Sequence, residues 1–250
     1  MARFIIAIAA LLLVSATTPL CAQDSLSERM SSQRLGDVAP GTYLAADTVR
    51  FSLAQDGDNF LLRFDGDPEV FVLYTAHASL GGRELKYDSG ETALQVAGWG
   101  GMTLYTDAAP NGLPAVRTGD AAAPSPANVS LGDMQNAASD EAEHLAYTRG
   151  LRLNFTADWG ALSGNGAMRA FAFDTLENAV RGLDRFSLSA AGRQALAGHV
   201  DTVMVQSAGK PTIGLTGKTL VVTFNPEHGY VGRASSRAIA RALEKVFPRK

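Results

Sequence analysis

Cysteine is nearly absent from this chain: among its 250 residues there is one, Cys21. It lies in an N-terminal segment with the pattern of a secretory signal, in which Arg3 precedes an unbroken apolar run over residues 4–14 and the small Ala22 ends the segment. We therefore predict a signal peptide over residues 1–22, cleaved after Ala22, and a periplasmic or secreted mature protein. Without Cys21, the mature chain has no means of forming a disulfide, a zinc–thiolate site or a cysteine nucleophile.

Long hydrophobic runs are absent beyond the signal, where no stretch approaches the roughly 20 apolar residues that a transmembrane helix needs. We therefore expect no transmembrane anchor after cleavage. A strong charge of one sign is absent too. The formal net charge of −3 is mildly acidic, so we expect no nucleic-acid partner.

Catalytic and metal-binding motifs are also missing. The four histidines show no HExxH spacing, and no Gly-x-Ser-x-Gly sequence marks a nucleophilic serine. We therefore assign no catalytic residue, no metal ligand and no cofactor, and we favour a non-enzymatic role.

The first part of the mature chain has the pattern of short β-strands. A polar leader over residues 23–41 precedes a β-rich domain over residues 42–117, in which apolar and polar residues alternate between turns containing glycine and aspartate. Residues 70–74 are apolar throughout, as expected of a strand covered on both faces. We predict an antiparallel β meander, either closed as a small barrel or folded as a sandwich.

An Ala/Pro-rich linker over residues 118–132 leads to an α+β domain over residues 133–250. In the clearest amphipathic helix, residues 167–183, the apolar stripe leaves Asp174, Glu177 and Arg181 on the surface. The fold class is thus α+β, with helices flanking a three-stranded antiparallel meander. The predicted helices are 133–147, 167–183, 189–197 and 236–247, and the predicted strands are 151–156, 200–206, 211–215 and 219–224.

One segment, residues 227–237, is a candidate anion-binding site. Ser235 can cap the last helix, whose exposed amides attract anions, and Arg233 and Arg237 add two positive charges beside it. We predict a site formed by these three residues with Ser236 and His228. Its partner would be an anionic envelope component or an envelope protein. The alternative is an ordinary capped helix with a solvated basic face.

Two parts of the sequence resemble a known family. Residues 61–70 and 100–106 resemble the N-terminal half of a family of exported alphaproteobacterial proteins that carries only a domain-of-unknown-function label. Residues 229–237 are similar to its C-terminal signature, in which proline often replaces Ala234. The resemblance implies export and a shared full-length architecture, and it assigns no activity, cofactor or catalytic residue.

Three functional hypotheses follow. The first is an exported, periplasmic, non-enzymatic binding or envelope-associated protein, with its ligand at residues 227–237 or in the cleft between the two halves. The second is an envelope hydrolase pairing His228 with Ser235 or Ser236, which requires a His–Ser distance within about 3.2 Å in a concave pocket. The third is a structural partner of another envelope protein, which requires an exposed apolar patch larger than a few hundred Å².

Overall fold

The computed structural model describes residues 38–248. The predicted signal peptide and residues 23–37 of the predicted leader lie outside the described residues. The first part of the described chain is a closed barrel of eight antiparallel strands in sequence order, in which the first strand pairs with the last. Of the two predicted forms of the meander, the barrel is therefore the one that forms. Its strands are β1 Gly41–Ala45, β2 Val49–Asp56, β3 Asn59–Phe64, β4 Val70–His77, β5 Arg83–Tyr87, β6 Thr92–Val96, β7 Met102–Thr106 and β8 Ala109–Gly119.

Side chains fill the interior of the barrel. Five aromatic rings pack in succession along the inner wall, with neighbouring ring centroids between 5.2 and 6.3 Å apart. Fully buried leucines from six strands occupy the rest. An eight-stranded barrel is just wide enough to be filled in this way, so candidate ligand sites lie outside it. The five rings are those of Tyr43, Phe51, Phe64, Phe71 and Tyr87.

The outer face of β2–β4 is also covered. Phe71 and Leu73 belong to the barrel core, whereas Leu61, Val70 and Val72 pack outside it. Their cover is the 3-10 segment Pro226–Gly232, which contributes Tyr230 and Val231. This contact accounts for the continuous apolar run at the start of β4 and joins the barrel to the second half of the chain.

The second half combines five helices with a four-stranded sheet in the order β11–β12–β10–β9. The amphipathic α3 packs on β10 and β12 and against α5. Its contact with α5 is close: a Cβ on Gly182 would lie 2.6 Å from Ile239 Cγ2. The helices are α1 Leu131–Arg149, α2 Trp159–Ser163, α3 Gly166–Ser187, α4 Ala190–His199 and α5 Ser236–Val246, and the strands are β9 Asn154–Ala157, β10 Thr202–Ser207, β11 Ile213–Thr216 and β12 Thr219–Phe224.

The sheet differs from the predicted three-stranded antiparallel meander. β12 lies between β10 and β11 and runs parallel to β10, which is itself parallel to β9; β11 pairs antiparallel with β12. The reason is that residues 208–212 do not form a tight hairpin between β10 and β11 but cross the end of β12. There Ala208 N donates to Phe224 O, and Asn225 Nδ2 donates to Gly209 O. These five residues span two strand spacings, or about 9.6 Å, and leave a gap that β12 fills.

Candidate functional site

The first turn of α5 is anchored to carboxylates of the barrel. Ser235 is the N-cap, as predicted, and its Oγ accepts a hydrogen bond from Ala238 N at 3.2 Å. The same residue donates to Asp88 through its backbone N at 2.8 Å and through its hydroxyl. Ser236 donates to Glu69 through its N and its Oγ, both at 2.8 Å. The anions at this helix start are thus the protein's own, and binding of an external anion here stays a prediction.

Arg237 binds two further carboxylates of the barrel. Its Nη1 lies 2.8 Å from Glu91 Oε2 and its Nη2 lies 2.7 Å from Asp107 Oδ1. Its guanidinium also lies 4.4 Å from the centroid of the Tyr87 ring. Arg185 of α3 holds the second oxygen of Asp107 at 2.6 Å. Because the Arg237 side chain is only 11% exposed, it is not part of a solvated basic face.

Arg233 is buried between the two halves, with a side chain only 2% exposed. Its Nη2 donates to the Val70 carbonyl at 3.0 Å, and its guanidinium lies 4.9 Å from the centroid of the Tyr230 ring. Its Nε lies 3.4 Å from Asp174 Oδ2 but makes no hydrogen bond. A buried donor without an acceptor raises the free energy of the folded state.

We call the region where the start of α5 (residues 233–237) meets Glu69, Asp88, Glu91 and Asp107 of the barrel the corner. Burial and ion pairing shift the pKa values of its carboxyl groups in opposite directions. Burial raises the pKa of Glu69 and of Asp88, although the hydrogen bonds from the two serines oppose the shift. Partial burial also acts to raise the pKa of Asp107, but Arg185 and Arg237 outweigh it and leave that pKa lowered. The charges of Glu69 and Asp88 therefore cost free energy, whereas that of Asp107 is stabilised.

His228 lies apart from the other four predicted site residues. It is exposed on the 3-10 segment, beside Asp56 of the barrel. Ser235 and Ser236 are 3% and 0% exposed, and their hydroxyl groups are hydrogen-bonded to Asp88 and Glu69. The structure thus brings Arg233, Ser235, Ser236 and Arg237 together, but it gives the serines no histidine partner and no access for a substrate.

A cavity of about 380 Å³ lies between the barrel and the second half. We call it the cleft. Its walls come from the end of β3 and the start of β4, from the linker at Pro124 and Ser125, from α3 and from the 3-10 segment. Three cations and three carboxylates line it: Arg63, Arg181, Arg233, Glu69, Asp174 and Glu177.

The acidic side chains of α3 face this cleft instead of the surface predicted for them. The side chains of Asp174 and Glu177 are only 23% and 19% exposed, and that of Arg181 is 28% exposed. Arg181 Nη2 lies 2.9 Å from Glu177 Oε2. Burial raises the pKa of both carboxyl groups, although Arg233 and Arg181 oppose the shift at Asp174, and Arg181 opposes it at Glu177. The prediction that these three side chains lie on the surface was wrong because their face of α3 forms a wall of the cleft.

A comparison with protein families matches residues 22–243 to a domain of unknown function, DUF4908. The chain belongs to this family. The DUF4908 match spans the barrel, the linker and nearly all of the second half, so the cleft lies within a single family domain. Comparisons with curated proteins and with solved structures found no match.

Between residues 38 and 248, no helix has the length and apolar character needed to cross a membrane. Over the same residues, no cluster of three or more His, Cys, Asp and Glu side chains is arranged to hold a metal ion.

The acidic partners of Ser235, Ser236 and Arg237 were not predicted from the sequence. Glu69, Asp88, Glu91 and Asp107 lie at turns at one end of the barrel, where acidic residues are ordinary turn formers. One signal was available: the apolar run that Glu69 precedes predicts a partner against the outside of β4. It does not show which segment provides that partner.

Proposed function

We propose that this protein is an exported, periplasmic or secreted, non-enzymatic binding protein whose ligand lies in the cleft. Export is supported by the signal pattern of residues 1–22. It is also supported by the family match, which begins at residue 22, beside the expected cleavage point. The absence of a usable Ser–His pair at the corner favours binding over hydrolysis.

The observation that carries the proposal is a charged cavity with an unsatisfied donor on its wall. Arg233 lines the cleft, is nine-tenths buried, and has an Nε without a hydrogen-bond acceptor. Asp174 and Glu177 line it too, and burial raises the pKa of both carboxyl groups because it disfavours their charged forms. A concave site with perturbed ionisable groups is the usual mark of a binding site.

The lining also indicates the chemistry of the ligand. Arg63, Arg181 and Arg233 offer guanidinium groups to an anion, in agreement with the predicted anionic envelope component. Asp174 and Glu177 can accept hydrogen bonds from hydroxyl or ammonium groups on the same molecule. We therefore expect a small, polar envelope component that carries at least one negative charge and several donors.

The proposal is tested by affinity capture from an envelope extract. The mature chain from Gln23 is immobilised, and the components that elute at raised salt are identified by mass spectrometry. Arg181→Ala removes a cation from the cleft and should reduce the retained component at least tenfold. The matched control is Arg241→Ala, which removes an exposed arginine of α5 that is ion-paired with Glu244 and is not among the residues lining the cleft.

Equal retention by Arg181→Ala and Arg241→Ala would contradict a ligand in the cleft. The structural-partner hypothesis has less support, because the large exposed apolar side chains of residues 38–248 lie on six different segments. Exposed apolar side chains in this number are normal on protein surfaces. They are Tyr74, Trp99, Val116, Tyr147, Leu188 and Val246.

A further inference from the structure

Two walls of the cleft carry opposite charges. On the barrel wall, Arg63 pairs across β3 and β4 with Val70, whose side chain packs outside the barrel, so both residues belong to the outer face that borders the cleft. On the α3 wall, Asp174 and Glu177 are three residues apart and therefore lie on the same face of the helix. A ligand between these walls meets a guanidinium group on one side and two carboxylates on the other.

The protein itself satisfies some of the charged groups in the cleft but not all of them. Glu69 accepts two hydrogen bonds from the start of α5, and Arg181 binds one oxygen of Glu177. Within residues 38–248, by contrast, the Arg63 guanidinium makes no hydrogen bond or ion pair, and neither carboxylate oxygen of Asp174 accepts a hydrogen bond. Hydrogen-bonding capacity is thus left over as donors on the barrel wall and as acceptors on α3.

The carboxylates of α3 have less positive charge around them than their burial requires. Burial raises the pKa of Asp174 and of Glu177 even though Arg233 and Arg181 oppose the shift. The closest cation to Asp174 is poorly placed, since the buried Arg233 Nε lies 3.4 Å from Asp174 Oδ2 and forms no hydrogen bond. A further cation in the cleft would stabilise both charged carboxylates. An ammonium group supplies that charge together with three hydrogen-bond donors.

Tyr230 shows that the opposite charges border the same space. Burial raises the pKa of its hydroxyl group, the charge of Asp174 adds to the shift, and the charges of Arg233 and Arg63 oppose it. Arg63 and Asp174 therefore both lie within electrostatic reach of one hydroxyl group, yet they form no ion pair with each other. The cleft around them has a volume of about 380 Å³, which is within the range of roughly 300–1,000 Å³ typical of small-molecule sites.

The lining beside these charges includes apolar side chains that are accessible from the cleft. Pro68 is exposed, and Pro124 and Phe173 are half-buried. They suit a short aliphatic body between two charged ends. A sugar acid or a simple organic anion would satisfy Arg63 but would leave Asp174 without a donor of positive charge.

We propose that the ligand of the cleft is a zwitterion, an amino acid or a short peptide that has a free ammonium group and a free carboxylate. Asp174 and Glu177 bind the ammonium group, Arg63 binds the carboxylate, and Phe173 contacts the body between them. This inference rests on the proposed function, which puts a ligand in the cleft. It narrows the anionic component expected there to one that also carries a positive charge.

The test is calorimetric titration of the chain from Gln23 with alanine and with alanylalanine. The matched controls are the N-acetylated form of each probe, which lacks the ammonium charge, and the amidated form, which lacks the carboxylate. We expect saturable binding of at least one free probe and at least tenfold weaker binding of both of its blocked forms. Binding of alanylalanine alone identifies a peptide as the ligand, and equal or tighter binding of alanine identifies an amino acid.

Variants assign the two ends of the ligand. Arg63→Ala should weaken binding of the free probe at least tenfold but leave its amidated form unaffected, whereas Glu177→Gln should do the same for the free and the N-acetylated forms. Neither change removes the counter-charge of the buried Arg233, as Asp174→Asn would. The control is Arg50→Ala, which removes an exposed arginine of β2 that does not line the cleft and should bind as wild type does.

Three results would overturn the proposal: no binding of either probe, blocked forms that bind as well as the free ones, or unchanged binding in both Arg63→Ala and Glu177→Gln. None of them contradicts a ligand of another class in the cleft. The proposed function fails separately, on equal retention of envelope components by Arg181→Ala and Arg241→Ala.

Discussion

Glu69 shows how a single buried carboxylate joins the two halves of this protein. It is 3% exposed and accepts two hydrogen bonds from Ser236, which lies 167 residues away in the chain. Burial penalises its charge, whereas the hydrogen bonds and the start of α5 favour it. Because burial is the larger effect, its pKa is raised in the folded protein.

This raised pKa predicts an unusual dependence of stability on pH. The folded state binds the Glu69 proton more tightly than the unfolded state, so the contribution of Glu69 to stability falls as the pH rises from its ordinary pKa of 4.5 through the raised value. Each tenfold difference in proton affinity corresponds to about 1.4 kcal/mol. Glu69→Gln removes this titration. The unfolding free energy of wild type relative to Glu69→Gln should therefore decrease between pH 4.5 and neutrality in chemical denaturation.

Asp107→Asn is the matched control for that measurement. The pKa of Asp107 is lowered from 3.8, so the stability that its charge contributes is present above this value and is lost as the pH falls through the lowered pKa. Between pH 4.5 and neutrality, the difference between wild type and Asp107→Asn should be flat. A flat difference for Glu69→Gln as well would contradict the assignment of a buried, proton-binding carboxyl.

The sequence predicts one member of each contact at this corner. The Ser235 cap and the concentration of positive charge near α5 follow from local patterns, and both led to the prediction of an anion nearby. The anions themselves lie 130 to 167 residues away, in turns of the barrel. Periodicity describes neighbours along a helix or a strand, so it contains no information about pairing across that distance.

At the scale of elements, the close contact of α3 with α5 holds the start of α5 against the barrel. A Cβ on Gly182 would lie 2.6 Å from Ile239 Cγ2 and 3.0 Å from the Ser236 carbonyl oxygen. Gly182→Ala should therefore lower the unfolding free energy by about 1–3 kcal/mol through overpacking, although alanine is the better helix former by about 1 kcal/mol. Chemical denaturation measures the change.

Gly198→Ala separates the two effects. Gly198 is exposed in α4, and an added Cβ there meets nothing within 4 Å. We expect this variant to be as stable as wild type or more stable by up to about 1 kcal/mol. Similar destabilisation by both alanine variants would show that helix backbone effects, and not the α3–α5 contact, control stability.

Elements were predictable where their signals are local. The amphipathic period of α3 and the glycine- and aspartate-containing turns of the barrel gave the correct type of structure, because each depends on residues a few positions apart. The order of the sheet was not predictable in this way. Residues 208–212 have the length of a hairpin loop, and the fact that they cross β12 is visible only once β12 has taken its place beside β10.

In the molecule as a whole, the packed interior of the barrel leaves no space for a ligand. The interior is occupied by rings and leucines, so a ligand site has to lie outside it, as the cleft does. The division into domains at residues 42–117 and 133–250 stays a prediction, since contacts between the halves do not show whether either folds alone. The contacts do place residues of both halves in the lining of the cleft.

Native mass spectrometry can show in one experiment whether the chain is exported and whether it holds a ligand in the cleft. Wild-type protein and Arg181→Ala are produced in the same cells from the full-length sequence and isolated from the fraction outside the cytoplasm. We predict that both chains begin at Gln23 and that wild type carries a small noncovalent adduct, strongly reduced in Arg181→Ala. Chains that still begin at Met1 would contradict export, and identical spectra without an adduct would contradict a ligand in the cleft.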